Sequence, residues 1–293
     1  MDQKVTVSVC VVTYNQERYI KKCIESILSQ EGNFELEVIV SDDGSKDGTR
    51  KILDSFRDNK NLKLHFQENN LGPYNNFLFV HEQAKGDLIC HCDGDDFWYP
   101  GKLEAQVSHM QNNPDCNVSW TRVDVEFSGG VRLPDRITQG IANQKFYRGD
   151  VLQLISIGMN STKMYRARTI DDTELPVVDY YSNVELLGSG YASFASEERL
   201  ALYRAGVGIS SSNSESKMIL LKTMGHFLSK YPKYRHRVNA ALILMLMVEL
   251  KNRNWLCVKN ILKTVRFDVS IFKAPYYLFS NLNTVKSLRL PRG

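Results

Sequence analysis

The stretch VTVSVCVVTYN, residues 5–15, predicts the fold of the chain. Its first part, Val5–Thr13, is rich in β-branched side chains, a pattern typical of a strand that is covered on both faces. From Glu17 onward apolar residues recur at helical spacing until Gly32, which ends the predicted helix. A buried strand followed by an amphipathic helix is the first unit of an alternating β/α pattern.

Three more strands continue this alternation, with helical segments between them, and they are predicted at Glu37–Ser41, Leu62–Gln67 and Leu88–Cys92. Such alternation indicates a mainly parallel, doubly wound α/β sheet, in which ligands bind at the carboxyl ends of the strands. Polar clusters directly follow three of the predicted strands: Thr13-Tyr14-Asn15, Asp42-Asp43-Gly44-Ser45 and Asp93-Gly94-Asp95-Asp96. We therefore expect one site where the three clusters meet at one edge of the sheet.

After Pro100 the pattern is less regular. Helices are expected at Lys102–Asn112, Phe146–Ile157 and within Pro176–Leu187, with strands at Cys116–Phe127, Ser161–Tyr165 and Ala201–Arg204. A run of small polar residues from Val207 indicates a boundary, beyond which Met218–Val265 is predicted as a series of helices. We place an α/β domain at residues 1–212, with halves 1–100 and 101–212, and a helical C-terminal region at 213–293.

The composition is that of a globular protein with a sizeable core, since 43% of the 293 residues are apolar and 24% are charged. The net charge of +4 is too small to indicate nucleic-acid binding. No pair among the six cysteines has C-x-x-C spacing, which predicts free thiols in a reducing compartment. Because the sequence shows neither a signal peptide nor an apolar run long enough to span a bilayer, we expect a cytoplasmic protein.

The acidic cluster Asp93–Asp96 is the strongest candidate for chemistry. Two carboxylates one residue apart at a strand end can face one hard cation, and Mg²⁺ or Mn²⁺ held in this way keeps coordination positions open for phosphate oxygens. The cation would then neutralise charge on a departing diphosphate. The alternative is a solvated acidic turn. However, the cluster follows an apolar strand and precedes Phe97-Trp98-Tyr99, a composition that suits a surface turn poorly.

Four segments together resemble family 2 glycosyltransferases in their order and spacing: VCVVTYN (9–15), SDDGSKDGT (41–49), the strand within 84–92 and DGDDFWYP (93–100). The resemblance covers about Val5–Ser212 and is dense in the first hundred residues. It implies a GT-A fold, which is a Rossmann-like, mainly parallel sheet flanked by helices, here with a C-terminal helical extension. It also implies an inverting sugar transfer from a nucleotide diphosphate donor, with 1–100 as the nucleotide-sugar half and 101–212 as the acceptor half.

For the nucleotide, the resemblance implies roles for four residues. Thr13 and Tyr14 would line the base and ribose pocket, with Tyr14 stacking near the base. Asp43 would hydrogen-bond the base or ribose, because a carboxylate accepts hydroxyl or imide hydrogens well, and Asn76 would lie near the nucleotide. Each also has an ordinary structural interpretation: a strand-to-helix turn at Thr13 and Tyr14, a turn with a helix-capping aspartate at Asp42-Asp43, and a loop or cap residue at Asn76.

For the diphosphate and the sugar, the resemblance implies contacts within the acidic cluster and at one arginine. Asp95 would bind Mn²⁺ or Mg²⁺, Asp93 would meet the ribose side, and Gly94 would form part of the same nucleotide-sugar site. Asp96 would face the donor sugar or support its neighbour. Arg204 would meet phosphate, or would be a plain surface residue. A uridine donor is the default expectation, because it is frequent among the similar enzymes.

An inverting transfer needs one general base, which takes the proton of the acceptor hydroxyl as it attacks the anomeric carbon. Family members supply this carboxylate from a Glu-Asp pair that opens a helix, and the corresponding pair here is Val178-Asp179. We therefore predict Asp179 as the base. Asp171, Asp172 and Glu174 are nearby alternatives, and a helix N-cap is the structural interpretation of Asp179.

Three other functions are weighed against the transferase. A nucleotidyltransferase should carry a Gly-rich loop with Lys or Arg after the first strand, and Thr13-Tyr14-Asn15-Gln16 is not such a loop. A dinucleotide-dependent dehydrogenase needs G-x-G-x-x-G there, which is absent. A non-catalytic, degenerate sugar- or partner-binding protein is favoured only by two departures: Val178 replaces the glutamate of the base pair, and Gly206 replaces a histidine found in many relatives.

Three further segments have two interpretations each. Cys90-His91-Cys92 is metal-like, but strand alternation separates the thiols from the imidazole, which favours core packing. Asn160-Ser161-Thr162 either lines the acceptor pocket or forms a polar strand edge. The last twenty residues, where basic side chains accompany aromatic ones, either pack on their own domain or lie on the inner face of an anionic membrane. Membrane contact would suit a glycan acceptor carried on a lipid, as in surface-polysaccharide assembly.

Overall fold

The first four strands form the parallel half of one sheet. In the computed structural model, which describes residues 4–168, 179–206 and 214–291, they are β1 (Val5–Thr13), β2 (Phe34–Asp42), β3 (Leu62–Phe66) and β4 (Leu88–Asp93). Their order across the sheet is β3-β2-β1-β4, and each neighbouring pair is parallel. The predicted strands of the first hundred residues are therefore confirmed.

Helices cover both faces of β1, as its β-branched run predicts. The connecting helices are α1 (Ile20–Leu28), α2 (Thr49–Asp54) and α3 (Pro73–Glu82). Val7, Val9 and Val11 share one hydrophobic core with α1. Cys10 belongs to the core on the opposite face, where its Sγ lies 3.5 Å from the carbonyl oxygen of Val80 in α3. All six cysteines are buried and free, so the predicted absence of disulfides is confirmed.

The second half makes the sheet mixed. Its elements are β5 (Phe97–Trp98), α4 (Lys102–Asn112), β6 (Cys116–Glu126), β7 (Arg132–Pro134), α5 (Gln139–Ala142), α6 (Arg148–Leu154), β8 (Met164–Arg166), α7 (Asp179–Leu186) and β9 (Tyr191–Arg204). The sheet continues from β4 through β8, β6 and β9 to β5, and β7 pairs with β6. β8 runs antiparallel to both β4 and β6, and β5 runs antiparallel to β9, whereas β6 and β9 are parallel. The second half is thus mixed, and the expected mainly parallel arrangement is unbroken only across the first four strands.

Two predicted elements of the second half differ from the structure. The strand expected at Ser161–Tyr165 is a short 3₁₀ turn at Asn160–Thr162, followed by β8. The hydroxyl of Thr162 donates to the carbonyl of Met159, 2.9 Å away, and such local bonding competes with strand pairing. The strand expected at Ala201–Arg204 is only the end of the much longer β9. The loop expected from Pro176 lies largely outside the described residues.

The C-terminal helices pack onto the sheet domain and share its core. They are α8 (Ser214–Lys230), α9 (Arg235–Lys251), α10 (Trp255–Thr264), α11 (Ala274–Ser280) and α12 (Leu282–Ser287). Phe227 of α8 and Leu242 of α9 lie in one hydrophobic cluster with Trp120 of β6. The predicted boundary at residue 212 falls outside the described residues and stays a prediction. No helix in the described part is long and apolar enough to cross a membrane.

We expect the shared core to make the helices and the sheet unfold together. Phe227 is fully buried and stacks on Tyr181 of α7 with ring centroids 5.5 Å apart. Replacing it by alanine should cost about 3–5 kcal/mol in the free energy of unfolding, because a large cavity would remain. Phe267→Ala, at a residue that is 74% exposed, should change that free energy by less than about 0.5 kcal/mol. Urea unfolding followed by circular dichroism measures both, and two separate transitions would contradict the shared core.

Candidate active site

The carboxyl ends of β1, β2 and β4 meet, as the three polar clusters predict. The backbone N–H of Asp43, just after β2, donates to the carbonyl of Thr13 at 2.9 Å. The backbone N–H of Gly94, just after β4, donates to the carbonyl of Val12 at 2.9 Å. Both polar clusters are thus attached directly to the end of β1, and a ligand at this edge can contact all three loops.

Hydrogen bonds fix the loop after β1 to the loop after β2. Asn15 has a left-handed φ of 52°, and its side-chain Oδ1 accepts a 2.8 Å hydrogen bond from the backbone N–H of Lys46. Its own N–H donates to the hydroxyl of Ser45 at 2.8 Å. Thr13 is buried, and its hydroxyl is 2.7 Å from Oε1 of Gln16. Tyr14 is 39% exposed, so it is the side chain of this loop that is free to stack on a base.

Gly94 is required by close packing rather than by an unusual backbone angle. A Cβ at this position would lie 2.5 Å from Oε1 of Gln16 and 3.0 Å from both Cδ1 of Ile20 and Cβ of Thr13. The acidic cluster therefore lies directly against the loop after β1, and a side chain at residue 94 would push the two apart.

Asp95 and Asp96 are buried carboxyl groups with incomplete charge compensation. Burial, followed by the negative charge of Asp93, raises the pKa of Asp95 to about 7. Burial and the charges of its two neighbours also raise the pKa of Asp96 well above its usual range. Oδ1 of Asp96 accepts from the backbone N–H of Arg204 at 2.8 Å, whereas its Oδ2 is buried without a hydrogen-bond partner among the described residues.

Arg204 supports the acidic cluster from β9. Its Nη1 donates to the carbonyl of Asp95, and its Nε donates to Oε2 of Glu126 at 2.9 Å. The guanidinium also lies 4.7 Å from the ring centroid of Tyr19, and only 9% of the residue is exposed. Arg204 is therefore not a plain surface residue. In this structure it stabilises the cluster, and its predicted contact with phosphate stays a prediction.

Asp93 is held by a chain of polar side chains that sequence reasoning missed. His91 Nε2 lies 3.2 Å from Oδ1 of Asp93, His91 Nδ1 lies 3.0 Å from His81 Nε2, and His81 Nδ1 lies 2.7 Å from the hydroxyl of Tyr165. Burial lowers the pKa of His81 well below its usual value, so this imidazole carries one ring hydrogen and joins the hydroxyl of Tyr165 to the ring of His91.

Ser161 completes the support of Asp93. Its hydroxyl donates to Oδ2 of Asp93 at 2.9 Å and accepts from the backbone N–H of Asp93 at 3.1 Å. Burial acts to raise the pKa of Asp93, but the hydrogen bonds and charge of its partners outweigh it and lower the pKa. Asp93 is thus the charged member of the cluster, and 40% of its side chain is exposed. His91 faces Asp93 rather than the two thiols beside it, in agreement with the predicted strand alternation.

Asp43 and Asn76 mainly hold neighbouring segments in this structure. The two carboxylate oxygens of Asp43 accept the backbone N–H groups of Leu71 and Gly72, at 2.6 and 3.1 Å. The side-chain amide of Asn76 is buried and bonds both the hydroxyl and the carbonyl of Ser41. Asp43 still lies beside the end of β1, whereas Asn76 lies between α3 and β2. Their nucleotide contacts stay predictions.

Asp42 fits the turn interpretation but does not cap α2. Its Oδ2 accepts from the backbone N–H of Ser45 at 3.1 Å and from Nε of Arg50 at 2.7 Å. The start of α2 instead meets the carboxylates of Asp47 and Glu17. Oδ1 of Asp47 accepts from the N–H of Thr49 at 3.0 Å, and Oε2 of Glu17 accepts from the N–H of Gly48 at 2.7 Å. Asp42 therefore holds the turn after β2 and joins it to α2 through Arg50.

Asp179 lies close enough to the acidic cluster for its charge and that of Asp93 to interact. The charges of Asp96, Asp93, Asp95 and Asp179 all add to burial in raising the pKa of one phenol, that of Tyr203. Asp179 is the first residue of α7 and remains accessible to solvent. Desolvation by the surrounding protein nevertheless raises the pKa of the Asp179 carboxyl. The alternatives Asp171, Asp172 and Glu174, and the neighbour Val178, lie outside the described residues.

Lys163, which is fully buried, bonds the helix that carries Asp179 and interacts with the charge of that carboxyl. Nζ of Lys163 bonds Oγ of Ser182 at 3.1 Å and Oδ1 of Asn183 at 3.3 Å, both in the middle of α7. After burial, which raises the pKa of Asp179, the positive charge of Lys163 is the strongest influence, and it lowers that pKa. No sequence pattern marks Lys163, because its partners Ser182 and Asn183 are 19 and 20 residues away in the sequence.

The described residues contain no group of three His, Cys, Asp or Glu side chains that could hold a metal ion by themselves. In sites that handle phosphates, Mg²⁺ and Mn²⁺ are usually held by one or two carboxylates, with water and substrate oxygens as the other ligands. Asp95 suits such a cation, because its carboxyl is poorly compensated and a positive charge would favour its ionised form. Asp95 is therefore the residue that would hold the cation.

Comparison with known proteins agrees with this geometry. The model of the family described as "Glycosyl transferase family 2" matches residues 8–173, more than half of the chain. The chain belongs to glycosyl transferase family 2. The putative teichuronic acid biosynthesis glycosyltransferase TuaG of Bacillus subtilis is 29% identical over 206 residues, which are 69% of this chain and 79% of TuaG. Uncharacterised mycobacterial relatives are 27% identical, and the chain spans 64% of their length.

Solved structures confirm the GT-A fold of this family 2 glycosyltransferase. The S. aureus TarS fragment 1–349 in complex with UDP-GlcNAc superposes with a TM-score of 0.68 at 19% identity, over 96% of this chain and 90% of that one. The mannosyltransferase PcManGT of Pyrobaculum calidifontis, in complex with GDP-Man and Mn²⁺, gives a TM-score of 0.54 at 14% identity, over 99% and 78%. At these identities the likeness concerns the fold alone.

The packing around residue 94 leads to a stability prediction. Gly94→Ala should lower the free energy of unfolding by about 1–3 kcal/mol, because the new methyl group overlaps the loop after β1. Gly140→Ala in α5 is the matched control, since a Cβ there would meet no described atom within 4 Å. The control should be neutral or stabilising by about 0.5–1 kcal/mol. Thermal unfolding checks both, and equal effects would contradict the close contact.

Proposed function

We propose that this glycosyltransferase transfers a sugar from a nucleotide diphosphate donor, by preference a UDP-sugar, to a hydroxyl of a glycan or lipid-linked glycan, with inversion. The observation that carries the proposal is the junction of Asp93–Asp96 with the ends of β1 and β2. There the buried, poorly compensated Asp95 and the exposed Tyr14 lie in two adjoining loops. A base-stacking side chain and a cation-binding carboxylate at one sheet edge suit the two ends of a nucleoside diphosphate.

The donor is bound by groups that this structure already holds in place. Tyr14 stacks on the base, and Asp93, ionised and fixed by His91 and Ser161, accepts a ribose hydroxyl. Asp95 would hold Mn²⁺ or Mg²⁺, which would neutralise the charge of the leaving diphosphate. Arg204 keeps Asp95 and Asp96 in position through the carbonyl of the first and the carboxylate of the second.

Asp179 acts as the general base in this proposal. Its ionised carboxylate takes the proton from the acceptor hydroxyl while the oxygen attacks the anomeric carbon. The bond between that carbon and the phosphate oxygen breaks in the same step, and the electron pair leaves with the diphosphate. Lys163 keeps enough of Asp179 ionised, because its positive charge opposes the effect of burial on the pKa.

The proposed acceptor, a glycan or lipid-linked glycan, indicates the biosynthetic role and the cellular location of the enzyme. A relative is named for teichuronic acid biosynthesis, which supports a role in surface-polysaccharide assembly. We place the enzyme in the cytoplasm, where nucleotide sugars are made, and a lipid-linked acceptor would bring it to the inner face of the membrane. A non-catalytic binding protein remains the alternative. Donor hydrolysis in the presence of Mn²⁺ separates the two, since a folded protein that hydrolyses no donor would favour the alternative.

Asp95→Asn tests the cation site without relying on activity. Wild-type protein should be thermally stabilised by UDP only when Mn²⁺ is present, and the variant should lose this stabilisation. The variant itself should unfold at the same or a higher temperature, because asparagine removes a buried charge that Asp93 repels. Asp58→Asn, at an exposed carboxylate, is the control and should behave as wild type. Equal stabilisation of Asp95→Asn and wild type would overturn the assignment, and GDP and dTDP in parallel test the base.

Lys163→Met tests the base through the pH dependence of donor hydrolysis. Activity requires ionised Asp179, so it falls as the pH drops through the pKa of that carboxyl. Removing the Lys163 charge raises this pKa, and the acidic limb of kcat/KM should move to higher pH by about one unit or more. Lys102→Met is the matched control: Lys102 is also fully buried, but its Nζ bonds Gln106 and lies over Trp98. If the acidic limb of the kcat/KM profile stays at the same pH in Lys163→Met, the role of Asp179 as base would be contradicted.

A further inference from the structure

Most of the exposed large apolar side chains of this protein lie in one part of the chain. Of the fifteen such residues in the described part, eleven lie between residues 247 and 279. The six most exposed have 69–83% of their surface accessible to solvent: Leu256, Phe267, Val269, Phe272, Tyr276 and Phe279. Isolated exposed apolar residues are ordinary, but such a concentration marks an interaction surface.

Helix α10 shows how the surface is built. Cys257, Val258 and Ile261 point inward and are buried, so α10 is packed against the protein along one face. Its outward face carries Trp255, Leu256 and Leu262, which are 45–69% exposed, together with the exposed Lys259 and Lys263. The solvent face of an ordinary surface helix carries mostly charged and polar residues. The outward face of α10 instead exposes large apolar side chains beside lysines, and it has no acidic residue.

The charge of the C-terminal region is strongly one-sided. Residues 214–293 contain fifteen lysines and arginines but only three acidic residues, whereas residues 1–213 contain 22 and 30. A groove of about 490 Å³ is lined by residues of α8 and of the α10 segment, and it has three cations, Lys222, Lys263 and Arg266, beside the apolar Met218 and Leu221. Apolar and cationic groups are thus interleaved over α10 and the segment that follows it.

We propose that α10, α11 and the segment between them form a docking surface for an anionic lipid membrane. Aromatic and aliphatic side chains would enter the headgroup region, while the lysines and arginines would meet lipid phosphates. Pairing with a second copy through the same surface is disfavoured, because cations would face cations. Nucleic acid is disfavoured as well. The aromatic rings of the surface could stack on bases, but the exposed aliphatic Leu256, Leu262 and Val269 would gain far less burial from a polar nucleic acid than from lipid.

This surface deepens the proposed function, because it would bring the active site to a lipid-linked acceptor, but it is defined without reference to the catalytic residues. It also sharpens the expectation for the C-terminal region. The membrane-facing residues are those of α10 and of 267–279. Of the last twenty residues, only 274–279 belong to this surface. The buried Ala274 and Leu278 show that α11 itself packs on the protein, so only one face of it is available.

Flotation with lipid vesicles tests the proposal on the full chain, without any sugar donor. Wild type should bind vesicles of phosphatidylcholine mixed with phosphatidylglycerol, bind phosphatidylcholine alone weakly, and be released by salt. Trp255→Ser, Phe272→Ser and Tyr276→Ser combined should weaken binding on the order of tenfold or more. Lys222→Gln with Lys263→Gln should weaken it about fivefold for each cation.

Matched controls use exposed residues of the sheet domain. Val131→Ser and the pair Lys51→Gln with Lys60→Gln should bind as wild type, since they make equivalent changes outside the surface. All variants should keep the thermal stabilisation by UDP with Mn²⁺, so a failure of membrane docking is distinguishable from a failure of the proposed function. The proposal would be overturned by three results: equal binding to neutral vesicles, undiminished binding of the surface variants, or a surface that instead mediates self-association or binds single-stranded RNA.

Discussion

The placement of three carboxyl groups within four residues, two of them buried, is the constraint on which the rest of this structure depends. Asp93, Asp95 and Asp96 repel one another at the end of β4, and two of them are almost entirely removed from solvent. Their compensation comes from distant parts of the chain. Arg204 arrives from β9, and Ser161 arrives from the turn before β8. The second half of the sheet is therefore necessary for the site that the first half carries.

The compensation is uneven, and this unevenness suits the chemistry. Asp93 receives hydrogen bonds on both oxygens and stays ionised, whereas Asp95 has a raised pKa and Asp96 has an unpaired buried oxygen within the described structure. If all three carboxylates were already neutralised by the protein, a cation and its bound diphosphate would gain little electrostatic binding energy there. Electrostatic preorganisation of this kind costs folding stability and stabilises a bound, charged ligand instead.

The C-terminal helices have two unlike faces. Their inner face belongs to the core around Trp120, so they are part of the domain that carries the site. Through α8, this core also reaches α7, because Phe227 packs on Tyr180 and Tyr181 next to Asp179. Their outer face is apolar and cationic. The same helices thus connect the proposed base with the proposed membrane surface, which places acceptor binding and docking on one structural unit.

The sequence by itself determined the first four strands, the meeting of their polar ends and the family. These features are local, because the residues that predict them are close together in the sequence. Val5–Thr13 predicts a buried strand from its own composition, and Asp93–Asp96 predicts a polar site from its position after a strand. Only the tertiary structure decided the antiparallel placement of β8, the support of Asp93 by His81 and His91, and the interaction of the buried Lys163 with α7 and Asp179. These depend on contacts between residues far apart in sequence, which no local pattern encodes.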